Sequence, residues 1–248
     1  MTHYDYRAGK KRIDEILDAR MPIETSSELP STDNLTFENA YHSWISALFV
    51  DIRNSTELFA DDDREQTAKI VRSFTSEIIE ILRDDPLRRE IGIRGDCVYA
   101  IYTTPDKDDI FDVHHKAAYI NTFIAMLNKI LRNHGLNTIR AGIGLAAGHD
   151  HIIKAGRKGV GINSTVWIGD AVAKASKLSG YGDKNGISRI VMNSVFYSNL
   201  ADVYEKKYPE KGFGSWYDTS GSLPYSGSRH GSVIMSDMNN WVNNGMVD

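Results

Sequence analysis

Two strongly β-like runs, each ending in an aspartate, constrain this fold more than any other feature of the chain. In ISALFVDIRNST, Asp51 closes an apolar strand and is followed by Ser and Thr. In EIGIRGDCVYAIY, Asp96 occupies a Gly-Asp turn between two short strands. Two carboxylates brought together at strand ends can bind divalent metals, and such sites typically serve phosphate chemistry. The alternative is that Asp51 and Asp96 only cap a helix and a turn.

Composition limits the class of protein. The chain has 248 residues, of which 41% are hydrophobic, enough for one α/β domain with terminal additions. The net charge of −4 argues against a nucleic-acid-binding protein. We see no apolar run long enough for a membrane and no secretory signal, so we expect a cytoplasmic protein without membrane partners. The single cysteine, Cys97, excludes an internal disulfide and a multi-cysteine zinc site.

The apolar pattern divides the chain into three parts. Residues 1–40 predict a short amphipathic helix and a polar linker. Residues 41–212 form the main domain, and residues 213–248 are an extension rich in Gly, Ser and Asn. Because the main domain has the order β-α-β-β-α-β, the prediction is an α+β, ferredoxin-like fold with helices on one face of an antiparallel sheet. We interpret the Gly-His-Asp-His run at 148–151 as a hairpin turn.

Four motifs in register are similar to a known family. FVDIRNST, IRGDCVYAIY, IRAGIGLAAG and WIGDAVAKASKL resemble the catalytic domain of class III nucleotidyl cyclases, over roughly residues 43–200. The resemblance implies a homodimer with active sites at the subunit interface, which converts a nucleoside triphosphate into a 3′,5′-cyclic monophosphate and pyrophosphate. A polymerase-type palm domain shares the core and the paired aspartates, but WIGDAVAKASKL favours the cyclase.

The resemblance also implies how the metals and the triphosphate bind. Asp51 and Asp96 would each bridge two divalent ions, Mn²⁺ or Mg²⁺, and the backbone carbonyl of Ile52 would complete one coordination sphere. Backbone N–H groups at the start of the following helix would cradle phosphate oxygens. These groups belong to Arg53, Asn54, Ser55 and Thr56.

The helix after Gly169 departs from the family pattern. Class III cyclases usually carry an Asn and an Arg there, one turn apart, which orient the ribose and neutralise charge in the transition state. The matching positions hold Ala173 and Lys177. Lysine keeps the charge without the bidentate fork, and alanine cannot hydrogen-bond the ribose. We assign Lys177 a catalytic and substrate-binding role; the alternative is a surface lysine.

The positions that read the base depart further. Cyclases that use ATP generally carry a Lys and an Asp where this chain has Gly92 and Val166. Neither residue can hydrogen-bond the edge of adenine, so a purine substrate is not expected. Arg94 shares a strand face with Gly92 and could occupy the space that Gly92 leaves. Arginine only donates, which suits the O4 and O2 acceptors of uracil. A phosphate contact or a salt bridge is the alternative for Arg94.

Two further residues are predicted to contact the substrate. Thr165 could add a hydroxyl near the edge of the base, and Phe49 could stack near the nucleotide, although core packing explains Phe49 as well. In lacking the residues that recognise a purine base, the chain resembles the Pycsar pyrimidine cyclases of bacterial anti-phage defence. The leading hypothesis is therefore a uridylate cyclase that uses UTP and whose product acts on a cyclic-nucleotide-sensing effector. A cytidylate cyclase is second, and a degenerate nucleotide-binding module without turnover is the third hypothesis.

Overall fold

The structure is a computed structural model that describes residues 3–27, 29–31, 34–55 and 64–247. Its strands are β1 (Ile23–Thr25), β2 (Ala40–Ile52), β3 (Arg88–Arg94), β4 (Cys97–Thr103), β5 (Ala141–Gly156), β6 (Asn163–Gly169), β7 (Ile190–Met192), β8 (Tyr217–Asp218) and β9 (Arg229–Gly231). Its helices are α1 (Tyr6–Asp18), α2 (Arg64–Arg83), α3 (Lys107–Asn133), α4 (Asp170–Ser179), α5 (Ser194–Lys207) and α6 (Ser236–Asn243). Within the described ranges, none of the helices is both long and apolar enough to cross a membrane.

The central strand β2 is apolar on both faces because helices cover both sides of it. Leu48 and Val50 contribute to the main core, which also contains apolar residues of α2, α3 and α5. Ala47 and Phe49 point to the other side and pack near Ala175 of α4. Since side chains alternate along a strand, Asp51 lies on the α4 side of the sheet.

The sheet confirms the predicted fold class. The strand order is β3-β4-β2-β5-β7-β9-β8, with β1 beside β2 and β6 beside β5. Strands β3, β4, β2 and β5 pair in antiparallel fashion, and α2 and α3 connect them in the βαββαβ order. Two other pairings, β1 with β2 and β5 with β7, are parallel.

The expectation that all helices lie on one face of the sheet is wrong for α4. This helix can approach the opposite face closely because β5 carries glycines there. A Cβ atom on Gly144 would lie 2.0 Å from the carbonyl oxygen of Ala175, and one on Gly142 would lie 2.1 Å from that of Ser179. Any side chain at either glycine would therefore push α4 away from the sheet.

The predicted turn at 148–151 is also wrong, because these residues continue β5. The strand runs to Gly156, and β6 is its antiparallel return. Asp150 is buried within β5, where its carboxylate accepts hydrogen bonds from the backbone N–H groups of Ala171 (2.9 Å) and Val172 (3.3 Å). A buried carboxylate is tolerated here because it satisfies the free N–H groups at the start of α4.

The residues beyond 212 complete one edge of the same sheet. Strands β8 and β9 extend it from β7. Tyr217 of β8 reaches the main core, where its hydroxyl lies 2.6 Å from Nε2 of the fully buried His114 on α3. This hydrogen bond fastens the C-terminal residues to the centre of the domain.

Candidate active site

The two predicted metal ligands, Asp51 and Asp96, lie at neighbouring strand ends. Asp51 is in register with Cys97, the first residue of β4, and Asp96 directly precedes Cys97. Burial raises the pKa of Asp51; the positive charge of Arg53 opposes this shift, and the negative charge of Asp96 adds to it. The two carboxylates thus interact unfavourably, a situation that a bound cation relieves.

One guanidinium fixes the position of Asp51. Nη2 of Arg53 donates to the Asp51 carboxylate at 2.7 Å, to the Asp51 carbonyl at 3.2 Å and to the Ser179 carbonyl at 2.8 Å. Its Nη1 donates to the carbonyl of Gly180 at 2.8 Å. The Arg53 side chain is only 11% exposed. It therefore connects the end of β2 to the C-terminal end of α4 and holds one oxygen of the Asp51 carboxylate.

The structure changes the predicted phosphate cradle. The backbone N–H of Arg53 donates to the carbonyl of Arg140 at 2.7 Å, so the prediction that this N–H binds phosphate is wrong. Asn54 turns the chain with a φ of 55°, in the left-handed region that Asn adopts more readily than most residues. Ser55 follows and is half-buried. Thr56 lies outside the described residues.

The donors at this edge fit a hard divalent cation. The carboxylates of Asp51 and Asp96 and the carbonyl of Ile52 at the end of β2 are oxygen donors, the type that Mg²⁺ and Mn²⁺ prefer. Cys97 follows Asp96 and is in register with Asp51, and burial, together with the charges of these two residues, raises the pKa of its thiol to about 12. Sulfur is also a soft donor, which Mg²⁺ does not prefer, so the oxygen atoms are the suitable ligands at this edge.

The protein supplies only part of a coordination sphere. In the described part of the chain, no group of three or more His, Cys, Asp and Glu side chains converges on a metal position. Magnesium sites in phosphate-transfer enzymes commonly use one or two carboxylates and take further ligands from substrate phosphates and water. Asp51 and Asp96 match that kind of site.

Helix α4 presents Lys177 on its exposed side. Ala171, Ala175 and Leu178 are buried against the sheet, whereas Ala173 and Lys177 face outward. Along the described residues, no hydrogen bond or ion pair connects Lys177 to Asp51 or Asp96, so one chain does not assemble the three predicted catalytic residues by direct contact.

A tyrosine from the C-terminal extension lies beside the lysines of α4. The ammonium groups of Lys174 and Lys177 are 5.5 Å and 5.7 Å from the centroid of the Tyr225 ring. Lys174 also pairs with Asp170 at 2.5 Å, one turn earlier. The ring attracts both cations and restricts where the Lys177 side chain can lie.

The space beside Gly92 is filled by Tyr99 of β4, its register partner. A Cβ atom on Gly92 would lie 2.3 Å from Cζ and 2.4 Å from the hydroxyl oxygen of Tyr99. The prediction that Arg94 fills this space is therefore wrong. Glycine is needed at position 92 because the Tyr99 phenol crosses directly over it.

Glu90 holds the Tyr99 hydroxyl in place. One Glu90 carboxylate oxygen accepts the Tyr99 hydroxyl at 2.6 Å, and the other accepts the indole N–H of Trp167 on β6 at 2.7 Å. Burial raises the pKa of Tyr99 to about 12; the hydrogen bond and the charge of Glu90 add to the shift, and the charge of Arg94 opposes it. The phenol therefore keeps its proton.

The other predicted substrate contacts surround this network. Phe49 stacks on Tyr99 with ring centroids 5.1 Å apart and is mostly buried. Arg94 is exposed at the end of β3. Thr165 is half-buried on β6, two residues from Trp167 and hence on the same strand face. Aromatic and polar side chains thus cover the sheet beside the two aspartates.

Sequence reasoning missed the network of Glu90, Tyr99 and Trp167. The alternation of β3 places Glu90 on the face that Gly92 and Arg94 share, which was a usable signal. The contacts with Tyr99 and Trp167 depend on strand register across β4 and on the position of β6, which local patterns do not give.

An antiparallel βαββαβ sheet with two aspartates at adjacent strand ends and a cationic helix across one face defines the catalytic domain of a nucleotidyl cyclase. The sequence profile of the adenylate and guanylate cyclase catalytic domain matches residues 37–208. The chain therefore belongs to this family of class III nucleotidyl cyclases.

Similar proteins extend over nearly the whole chain. It is 47% identical to the uridylate cyclase of Treponema porcinum over 99% of this chain and 83% of that protein. It is 32% identical to the uridylate cyclase of Gulbenkiania mobilis over 96% of each. Among solved structures, a class III adenylyl cyclase-like ATP-binding protein from Pseudomonas aeruginosa superposes with a TM-score of 0.66 at 16% identity, over 97% of this chain and 48% of that one. This last likeness concerns the fold alone.

Proposed function

We propose that this enzyme converts UTP into 3′,5′-cyclic UMP and pyrophosphate at the interface of a homodimer. The observation that carries the proposal is the absence of both purine-reading residues from a chain that retains the two metal-binding aspartates. Gly92 and Val166 offer no polar side chain to a base, and Tyr99 fills the space beside Gly92. The names of the two uridylate cyclase relatives support the same substrate.

Two divalent ions, Mg²⁺ or Mn²⁺, would be held by the carboxylates of Asp51 and Asp96 and by the carbonyl of Ile52. Such ions lower the pKa of a ribose 3′-hydroxyl and stabilise negative charge on a triphosphate. The protein's own contribution is positional, because Arg53 fixes one Asp51 oxygen at 2.7 Å and leaves the other for a cation.

The proposed active site combines two chains. Lys177 faces away from the sheet that carries Asp51 and Asp96, and it would meet the triphosphate bound to the partner subunit. There its ammonium would neutralise charge as the bond to pyrophosphate breaks, as a point charge in place of the arginine fork.

The proposed biological role is second-messenger synthesis in anti-phage defence within the cytoplasm, where UTP is available. The product, rather than the protein itself, would reach a cyclic-nucleotide-sensing effector. Co-expression with an effector that responds to cyclic UMP should reduce phage plaque numbers, and Asp51→Asn should remove that protection. Equal plaque numbers with the active and inactive enzymes would contradict this role.

The substrate is tested by incubating the protein with Mn²⁺ or Mg²⁺ and each of the four ribonucleoside triphosphates, and then identifying products by chromatography and mass spectrometry. We expect cyclic UMP and pyrophosphate in equal amounts. Cyclic CMP as the main product would make the protein a cytidylate cyclase. A folded dimer that binds nucleotide without forming any product would be the degenerate module.

The shared site is tested by mixing two inactive variants. Asp51→Ala removes the metal-binding half of a site, and Lys177→Ala removes the half that comes from the partner. In an equimolar mixture about half of the dimers are mixed, and each mixed dimer contains one of its two sites with neither substitution. We therefore expect up to about a quarter of the wild-type activity to return. Mixtures that stay inactive, although exchange of subunits is measured, would contradict assembly from two chains.

A further inference from the structure

In the network of Glu90, Tyr99 and Trp167, the indole of Trp167 determines which atom donates and which accepts in each hydrogen bond. The indole N–H of Trp167 can only donate, so the Glu90 oxygen that it meets at 2.7 Å must accept. The other Glu90 oxygen accepts the hydroxyl hydrogen of Tyr99 at 2.6 Å. The Tyr99 hydroxyl has then used its single hydrogen, and its oxygen can only accept a further hydrogen bond.

This acceptor lies over Gly92, one of the two positions that would contact the base. Tyr99 crosses Gly92 and stacks on Phe49, two residues before Asp51, and it lies diagonally across the β3–β4 pair from Arg94, which shares the face of Gly92. A pure donor (Arg94) and a fixed acceptor (Tyr99) therefore occur together on one face of the sheet, close to the metal-binding aspartates.

The two pyrimidine bases differ in the order of these groups along their edge. Uracil presents the O4 acceptor beside the N3–H donor. Cytosine presents an amino donor at C4 beside an N3 acceptor. A donor next to a fixed acceptor therefore matches O4 and N3–H of uracil. Against cytosine, the same donor would meet the amino group and the same acceptor would meet N3, so both pairs are mismatched.

Resting on the proposed function, we infer that Tyr99 accepts the N3–H of uracil while Arg94 donates to O4, and that Glu90, held by Trp167, sets this polarity and so selects UTP over CTP. Tyr99 and Arg94 are specificity-determining residues in this arrangement. Glu90 and Trp167 are positioning residues, because they act through the Tyr99 hydroxyl.

The decisive substitution is Glu90→Gln, which keeps the shape and reverses one hydrogen bond. Because Trp167 donates, the amide oxygen of Gln must face the indole, and the amide NH₂ then donates to the Tyr99 oxygen. The Tyr99 hydroxyl becomes free to donate, and it can serve the N3 acceptor of cytosine. We expect the ratio of kcat/KM for UTP to that for CTP to fall at least about tenfold, or about 1.4 kcal/mol in relative transition-state binding.

A double variant tests whether Trp167 sets the polarity. Trp167→Phe removes the indole N–H, so in Glu90→Gln/Trp167→Phe the amide can rotate and again accept the Tyr99 hydroxyl. The preference for UTP should then return in part. A merely structural role of Trp167 predicts the opposite, that the second substitution lowers activity on both substrates without restoring the ratio.

Tyr99→Phe removes the acceptor while the ring stays between Gly92 and Phe49. We expect kcat/KM for UTP to fall by about tenfold or more and kcat/KM for CTP to change less. Glu80→Gln is the matched control, because it makes the same chemical change at an exposed residue of α2 that pairs with Arg83. It should leave the ratio unchanged.

Binding of 3′-deoxy-UTP and 3′-deoxy-CTP, measured by calorimetry with Mn²⁺, gives a readout without turnover, since these analogues lack the attacking hydroxyl. Should Glu90→Gln fold, bind 3′-deoxy-UTP and keep the wild-type ratio in both assays, the inference is wrong while the proposed function stands. A wild-type enzyme that makes no cyclic UMP refutes the proposed function and this inference with it.

Discussion

The guanidinium of Arg53 offers the most direct test of how the site is held together. It makes four hydrogen bonds, one to the Asp51 carboxylate and three to backbone carbonyls at the ends of β2 and α4. Because the donor is the charged guanidinium in every case, each bond is of the kind that contributes about 1.5–3 kcal/mol, rather than the ~0.5–1.5 kcal/mol of bonds between neutral groups. Arg53→Met keeps the buried volume and loses all four bonds.

Water and local rearrangement replace some of these bonds, so we expect Arg53→Met to lower the free energy of unfolding by about 3 kcal/mol. For a chain of this length each kcal/mol shifts the melting temperature by about 2–4 °C, which gives a decrease of about 6–12 °C. Arg53→Lys keeps the charge without the fork, so its decrease should be smaller. Scanning calorimetry in EDTA measures both, with Arg83→Met on the exposed surface of α2 as the control.

The same substitution should reduce turnover more than stability alone explains. An Asp51 carboxylate without its guanidinium partner can rotate away from the metal position, and a misplacement of about 1 Å typically lowers kcat by about a hundredfold. Activity is measured well below the melting temperature of the variant. The reasoning is refuted if Arg53→Met melts within about 2 °C of the wild type, or if it loses stability and keeps its kcat.

Three other outcomes follow from the same contacts. Asp96→Asn removes one of the two proposed metal ligands, so turnover should fall by about a hundredfold or more. Because it also removes the negative charge that helps raise the pKa of Asp51, the melting temperature in EDTA should stay the same or rise. Tyr225→Leu should lower kcat about two- to fivefold by releasing Lys177, and Tyr225→Phe should not, because it keeps the ring; an equal loss of initial rate in both variants would contradict this. Burial lowers the pKa of His114 to about 3, below its value of about 6.5 in the unfolded chain. The free energy of unfolding should therefore decrease as the pH falls from about 6.5, by about 2 kcal/mol at pH 5. His114→Gln should remove this pH dependence in urea unfolding, and an unchanged dependence would exclude His114 as its source.

The sequence predicted those parts of the fold that depend on local pattern. Alternation and the Gly-Asp turn located the ends of β2, β3 and β4, and with them the positions of Asp51 and Asp96. Helix α4 was predicted from its position after Gly169. These features need only neighbours along the chain.

The errors have a common physical cause, which is contact between segments far apart in sequence. Asp150 belongs to a strand because distant N–H groups of α4 satisfy its carboxylate, whereas locally Gly148 and Asp150 are residues that favour a turn. The backbone N–H of Arg53 donates to the carbonyl of Arg140, which directly precedes the neighbouring strand β5. The space beside Gly92 is filled by Tyr99 rather than Arg94, and only the register of β3 with β4 decides that.

Helix α4 connects the two halves of the proposed active site. Its N-terminal end is held by Asp150, its C-terminal end by Arg53, and its middle lies against the glycines of β5. Because Arg53 also holds the Asp51 carboxylate, the proposed metal position of one site and the location of Lys177, which would serve the other site of the proposed dimer, share a single support. In the proposed dimer, a displacement of α4 in one subunit would therefore disturb both sites, whereas the loss of Lys177 from one subunit would disturb only one. The positions of the side chains at both sites depend on the rigid attachment of this one helix. This dependence explains why β5 has glycine at positions 142 and 144, where any side chain would keep α4 from approaching.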